Sequence, residues 1–173
     1  MDDHRSFEAL ALPHLDAAYN LARWLSRSPA DADDIVQDAM LRAFRAFGGF
    51  RGEDIRPWLL AIVRNCWRNR AADVRRRGHA VLPAEDDRPL VSGGPDPEAE
   101  ALRASDRRRL DGLIAALPED FREVLVLREM EDMSYLEIAE ATGAPIGTVM
   151  SRLARARTML REKWLARDPD VVR

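Results

Sequence analysis

Apolar positions recur every three or four residues through most of this chain, the repeat of a helix with one buried face. No run of β-branched residues alternates at period two for long enough to argue a strand. The pattern predicts an all-α protein. A first helix covers roughly Phe7 to Ser26. A second begins at "DADD", where acids suit a helix N-terminus, and runs to about Phe47. Its core face is Ile35, Val36, Ala39, Met40, Ala43 and Phe47. "GGFRGED" then reads as a loop, and Pro57 sits in the first turn of a third helix reaching about Arg77. The predicted buried face of that helix is Leu59, Ile62, Val63, Cys66 and Val74, with Leu60 and Trp67 at its margin.

The periodicity then stops. "GHAVLPAEDDRPLVSGGPDP" concentrates proline, glycine and acid, and predicts a flexible connector. The expected organisation is two small helical domains, 1–77 and 98–173, joined by an acidic Pro/Gly linker at 78–97. Past the linker, helical periodicity returns near Glu98 to Ala116, in "PEDFREVLVLREME", and in the short "SYLEIAEAT" with Leu136, Ile138 and Ala139 inward. The next stretch is "APIGTVMSRLARARTML". Gly143 tolerates the left-handed backbone of a helix end, and Pro145 allows a new helix to begin. Two helices joined by so short a turn form a helix-turn-helix.

On a helical wheel, Val149, Leu153, Ala156 and Leu160 of the last helix share one narrow face that packs inward. Thr148, Ser151 and Arg155 lie opposite or beside it, with Arg152 at the edge. Short hydroxyls and long guanidiniums in the N-terminal half of such a helix suit base edges and phosphates in a major groove.

Charge sharpens the picture by its distribution. The formal net charge is only −3, yet ten arginines lie between Arg42 and Arg77 against Glu53, Asp54 and Asp73. The third helix carries Arg64, Asn65, Arg68 and Arg75 on its outer face, with Trp58 and Asn69 at the border. Guanidiniums that track a backbone, amides that read base edges and a flat ring that stacks are what a single-stranded nucleic-acid site needs. On the second helix, Leu41 lies among Asp34, Gln37, Asp38 and Arg45, an outward leucine that hints at a protein interface.

Several classes drop out. Cys66 is alone, so no internal disulfide forms, and it reads as a small core residue. His4, His14 and His79 share no ligand spacing with each other or with Cys66, so neither a metal site nor a cofactor is expected. "FGGFRG" lacks the lysine of a phosphate loop, and no nucleophile–base pair stands out, so no enzyme or small-molecule substrate is expected. No apolar run approaches the ~20 residues that cross a bilayer, and the N-terminal residues lack a signal peptide's apolar segment. A cytoplasmic protein without membrane insertion is the expectation.

"DADDIVQDAMLRAFRAF", "FRGEDIRPWLLAIVRN" and "LPEDFREVLVLREMEDMSYLEIAEATGAPIGTVMSRLARAR" together resemble bacterial sigma factors of the sigma-70 family. The similarity is to the small extracytoplasmic-function (ECF) type, which keeps only the second and fourth conserved regions. The resemblance implies core RNA polymerase as partner, through its β′ coiled coil and β flap, together with promoter DNA and an anti-sigma factor. It implies that Asp34, Gln37, Asp38, Leu41 and Arg45 face the polymerase. Phe50, Arg51, Asn65, Arg68 and Asn69, with Trp58 and Arg64 on the same basic surface, would hold the unstacked −10 strand. Thr148, Ser151, Arg152 and Arg155 would face the −35 groove; many members carry Lys or Arg where this chain has Met150. The alternative is a sigma-like mimic that sequesters an anti-sigma factor and never touches DNA. An ordinary helix-turn-helix repressor would leave the basic third helix and the acidic second helix unexplained.

Overall fold

The computed structural model describes residues 2–78 and 97–166. The linker expected at 78–97 therefore lies, apart from its two end residues, outside the described residues. Those residues form α-helices and short 3-10 turns, with no strand among them. The helices are α1 (Asp2–Ala11), α2 (Leu15–Ser26), α3 (Pro29–Ala46), α4 (Ile55–Arg76), α5 (Pro97–Ala115), α6 (Glu119–Glu129), α7 (Tyr135–Thr142) and α8 (Ile146–Leu165).

Local signals explain the boundaries. The single first helix expected from Phe7 to Ser26 is broken at Leu12–His14, where Pro13 withholds a backbone donor. Helix α3 starts two residues before "DADD", because the Ser28 hydroxyl accepts the Asp31 N–H and Pro29 fills the first turn. Asp54 caps α4 in the same way through the Arg56 N–H. Ser134 and Glu137 form a reciprocal capping box on α7. Gly143 ends α7 with φ at 68°, and α8 follows three residues later, so the predicted helix-turn-helix forms.

Helices α2, α3 and α4 pack on one another, and α6, α7 and α8 do the same. The two groups also meet, α4 against α7 and α2 against α6. Their buried side chains merge into one cluster holding Leu21, Ile35, Leu60, Val63 and Trp67 together with Leu125, Leu127, Ile138, Val149 and Leu153. A smaller cluster of Phe7, Ala11, Ala43, Ile55 and Leu59 sits under α1.

That second interface changes the expected faces of α4. Leu60 and Trp67, placed at the margin by the wheel, are buried, because α4 is covered on two sides. Ile62 and Val74 are only half-buried. Leu136, expected inward on α7, is 61% exposed, while Ile138 and Ala141 take the inward positions. A helix of eight residues has room for only a narrow inner stripe, and Ile138 occupies it.

Candidate nucleic-acid interface

Helix α8 presents its two faces as the wheel predicts. Val149, Leu153 and Ala156 are buried and Leu160 is half-buried. Ser151 and Arg155 are exposed, and Thr148 is half-exposed. The Ser151 hydroxyl donates to the Thr148 carbonyl at 3.0 Å, which keeps it close to the helix while its oxygen can still accept. Met150 is 51% exposed beside them. Arg152 differs from its neighbours: its Nη2 donates to Asp120 Oδ2 at 2.9 Å.

At the other site, the α3–α4 loop and the first turns of α4 form an aromatic cleft. The Phe50 ring lies 5.0 Å from the Trp58 ring and stacks near-parallel with Phe47 at 6.3 Å. Gly52 turns beneath it, and a Cβ there would come within 2.9 Å of the Phe50 ring. The Arg51 guanidinium donates to the carbonyls of Gly48 and Phe50, both at 2.8 Å, and so ties the loop to itself. The cleft has a volume of about 530 Å³ and is lined by Phe50, Arg51, Pro57 and Trp58 on one side. Glu137 and Glu140 of α7 line the other side.

The outer face of α4 is only partly open to solvent, because α6 covers Arg64 and Arg68. Arg64 donates through Nε to Glu123 Oε1, and through Nη2 to Oε2 at 3.3 Å. Arg68 donates to Glu119 at 3.0 Å, to Asp120 at 2.5 Å and to Glu123 at 3.0 Å. Arg75 reaches Glu119 at 2.8 Å, and Arg56 reaches Glu131 at 2.9 Å. Glu123 is fully buried between the two arginines. Arg64, Asn65, Arg68 and Asn69 thus share one edge of α4 with differing access. Asn65 and Asn69 are exposed, while Arg64 and Arg68 are half-buried under α6. The Asn65 side chain accepts from Arg64 Nη1 at 2.9 Å.

Electrostatics follow the geometry. Burial works against the charge of Arg68, yet its hydrogen bonds to Glu123 and Asp120 win and hold its pKa above the ordinary value. The Arg68 hydrogen bond, helped by Arg152, keeps the Asp120 carboxyl below its ordinary range. Burial pushes Glu131 the other way, upward, with Arg56 offsetting part of the shift. Among the described residues, no group of His, Cys, Asp and Glu could hold a metal ion.

The candidate polymerase face on α3 stays largely open. Gln37 and Arg45 are exposed and Leu41 is 51% exposed. Asp38 pairs with Arg42 at 3.0 Å along the helix. Asp34 receives Arg70 from α4 at 3.0 Å, and Asp31 receives the same guanidinium at 2.6 Å.

The carboxylates Glu119, Asp120, Glu123 and Glu131 were not picked out by spacing or motif. One signal for them exists. "VLVL" at 124–127 places four consecutive apolar residues around the whole circumference of α6, and all four are buried. A helix apolar on every side needs partners on every side. Glu123, immediately before that run and fully buried, then requires a buried counter-charge.

Comparisons with known proteins place these faces in a family. The family model described as Sigma-70 region 2 matches residues 10–77, and that for Sigma-70, region 4 matches 107–160. The ECF RNA polymerase sigma-E factor of Haemophilus influenzae is 37% identical over 150 residues, which is 83% of this chain and 78% of that one. The ECF RNA polymerase sigma-E factor of Escherichia coli is 34% identical, covering 93% of this chain and 87% of its own length. The ECF RNA polymerase sigma factor SigE of Mycolicibacterium smegmatis is 34% identical over 91% of this chain, which spans 61% of that protein's length. Among solved structures, the sigma factor RpoE in complex with the anti-sigma factor NepR from Bartonella quintana superposes with a TM-score of 0.74 at 28% identity. It covers 91% of this chain and 96% of its own. CnrH in complex with the cytosolic domain of CnrY gives 0.65, also at 28% identity, over 95% of this chain and 90% of its own. With both region models matched in order on the helices that carry the two candidate faces, the chain belongs to the ECF sigma factors of the sigma-70 family.

Proposed function

We propose that this chain binds core RNA polymerase and directs promoter-specific transcription initiation. In this reading residues 1–77 dock on the polymerase and hold the −10 strand, residues 98–173 read the −35 duplex, and the segment 78–97 joins them. The observation that carries it is the presence of two different nucleic-acid chemistries on one chain. Helix α8 displays Thr148, Ser151 and Arg155 opposite a buried stripe, which suits groove edges. Helix α4 sets Arg64, Asn65, Arg68 and Asn69 beside the Phe50–Trp58 cleft, which suits an unstacked strand. Each element alone binds weakly, and polymerase supplies the effective concentration that makes the pair specific.

The exposed Leu41, with Gln37 and Arg45, is the proposed polymerase contact on the β′ coiled coil, and residues 98–173 would meet the β flap. An anti-sigma factor is the proposed regulator, since both structural neighbours described above are complexes with such proteins or a cytosolic domain. Co-elution with core polymerase tests the docking face: the chain is expected to co-elute, and Leu41→Glu to abolish co-elution without unfolding the chain. Unchanged co-elution of that variant would remove Leu41 from the interface. The mimic reading is disfavoured because the reader residues and the arginine face are both present.

A further inference from the structure

Helix α8 carries a second row of outward side chains beside its polar one. Residues four apart on a helix stand one above the other. Ser151 and Arg155 make the polar row, and both are exposed. Ile146, Met150 and Ala154 make the neighbouring row, which holds no charged, amide or hydroxyl side chain. Ile146 is 47% exposed and Met150 51%, and Ala154 is exposed as well. The inward stripe does not need them, since Val149, Leu153 and Ala156 already fill it. Helical side chains lean toward the N-terminus, so Met150 lies over the turn that holds Ile146 and Gly147. Gly147 puts no side chain there, and a Cβ built on it meets nothing within 4 Å. The flexible thioether thus has open space on the N-terminal half of the helix, the half that enters a major groove.

The charges flanking this row are already committed. Arg152 donates to Asp120 at 2.9 Å, and Arg157 Nε donates to Glu129 at 3.0 Å. Both pairs join α8 to α6 within the C-terminal helical group. Between Ile146 and Arg157, Arg155 is the arginine that makes no ion pair among the described residues. The groove face therefore offers one available guanidinium beside an apolar row. Adenine, guanine and cytosine show donors and acceptors in the major groove, and thymine adds a 5-methyl group. Set over an amino group, the Met150 side chain would strip it of water and return no hydrogen bond. Set over a thymine methyl, it removes apolar surface on both sides from water.

We infer that Met150, with Ile146 and Ala154 in its row, is a specificity-determining residue that selects thymine in the −35 duplex through the 5-methyl group. The inference deepens the reading of α8 as the −35 reader and rests on it. Continuity with Ser151 and Arg155 names the occupant: a groove edge that meets the polar row presents its neighbouring bases to the apolar one. Arg155 and Met150 then divide the element, one taking a base edge by hydrogen bonds and the other taking a nearby thymine by its methyl.

The test uses holoenzyme formed from the full-length chain and core RNA polymerase, transcribing a promoter library randomised in the −35 element. Each thymine of the selected element is then replaced singly by deoxyuridine, which removes the methyl group alone. The parent chain is expected to select a thymine at a position other than the one that Arg155→Ala relaxes. Deoxyuridine there should lower transcript yield at limiting holoenzyme about fourfold, the effect of one buried methyl group. Met150→Ala should transcribe the two templates alike, and Met150→Leu should keep the preference. Met150 lies outside the core, so both variants are expected to fold as the parent does. A parent chain indifferent to deoxyuridine at every position would overturn the inference, and so would undiminished methyl preference in Met150→Ala. Equal loss by Met150→Ala on both templates, with no methyl preference in the parent, would also overturn it and assign the row to a protein partner. Chain-dependent transcripts that ignore the methyl would leave promoter reading standing, whereas no transcripts from any template would sink both.

Discussion

The Arg64 guanidinium and the Glu123 carboxylate, 59 residues apart in sequence, form a two-point ion pair in which the carboxylate has no solvent exposure. A buried charge is tolerated only while paired, and removing one member leaves the other uncompensated. Glu123→Leu alone is therefore expected to destabilise the chain by about 3 kcal/mol, and adding Arg64→Met to recover a large part of it. Urea unfolding of the single and double variants measures the coupling. Additive losses would show that the pair contributes nothing.

Arg155 is exposed on the groove side of α8, and it is expected to read a base in the −35 element. Arg155→Ala should cost ~1–3 kcal/mol of discrimination at one −35 position. Transcription across a randomised −35 element checks this. An unchanged preference would remove Arg155 from the reading set.

The Trp58 ring forms one wall of the cleft at 5.0 Å from Phe50. Trp58→Ala is expected to weaken capture of a −10 single strand by about 1–3 kcal/mol, the size of one base–aromatic stack. Promoter melting by polymerase carrying the variant, followed with a fluorescent base analogue in the −10 strand, gives the readout. Full-rate melting would show that the ring serves only the loop.

Cys66 is buried, and that burial pushes its thiol up to about 11. The folded thiol therefore holds its proton to higher pH than the unfolded one. Its contribution to stability is fully present below the ordinary value of 9.0 and is lost as pH rises from there through about 11. Alkylation by iodoacetamide at neutral pH should be slow in the native chain and fast in denaturant. Rapid native alkylation would contradict the buried placement.

Gly143 holds φ at 68° with no atom within 4 Å of a Cβ built on it, so only backbone strain opposes a side chain there. Gly143→Ala should lower stability by about 1 kcal/mol, visible as a lower Tm. An unchanged Tm would mean the turn relaxes.

Much of this was legible in the pattern of residues. Capping acids and serines, the Gly143–Pro145 turn and the Val149–Leu153–Ala156 stripe are local features, and local features set helix boundaries and faces. The outward placement of Thr148, Ser151 and Arg155 on α8 followed from that periodicity. What stayed hidden was the contact between α4 and the helices beyond the linker. A wheel places Leu60 and Trp67 at a margin and Arg64 and Arg68 outward, because it counts one partner surface. Only the second surface makes Leu60 and Trp67 core and gives the arginines carboxylate partners. Leu136 failed for the opposite reason: its helix is too short to bury more than one stripe, and it stands exposed.

The most direct measurement of the central claim is run-off transcription with core RNA polymerase, this chain and fragmented genomic DNA. Discrete transcripts that require the chain are predicted, sharing −10 and −35 elements whose recognition weakens in Trp58→Ala and Arg155→Ala respectively. Absence of chain-dependent transcripts, with retained binding to an anti-sigma factor, would contradict it and identify the chain as a mimic.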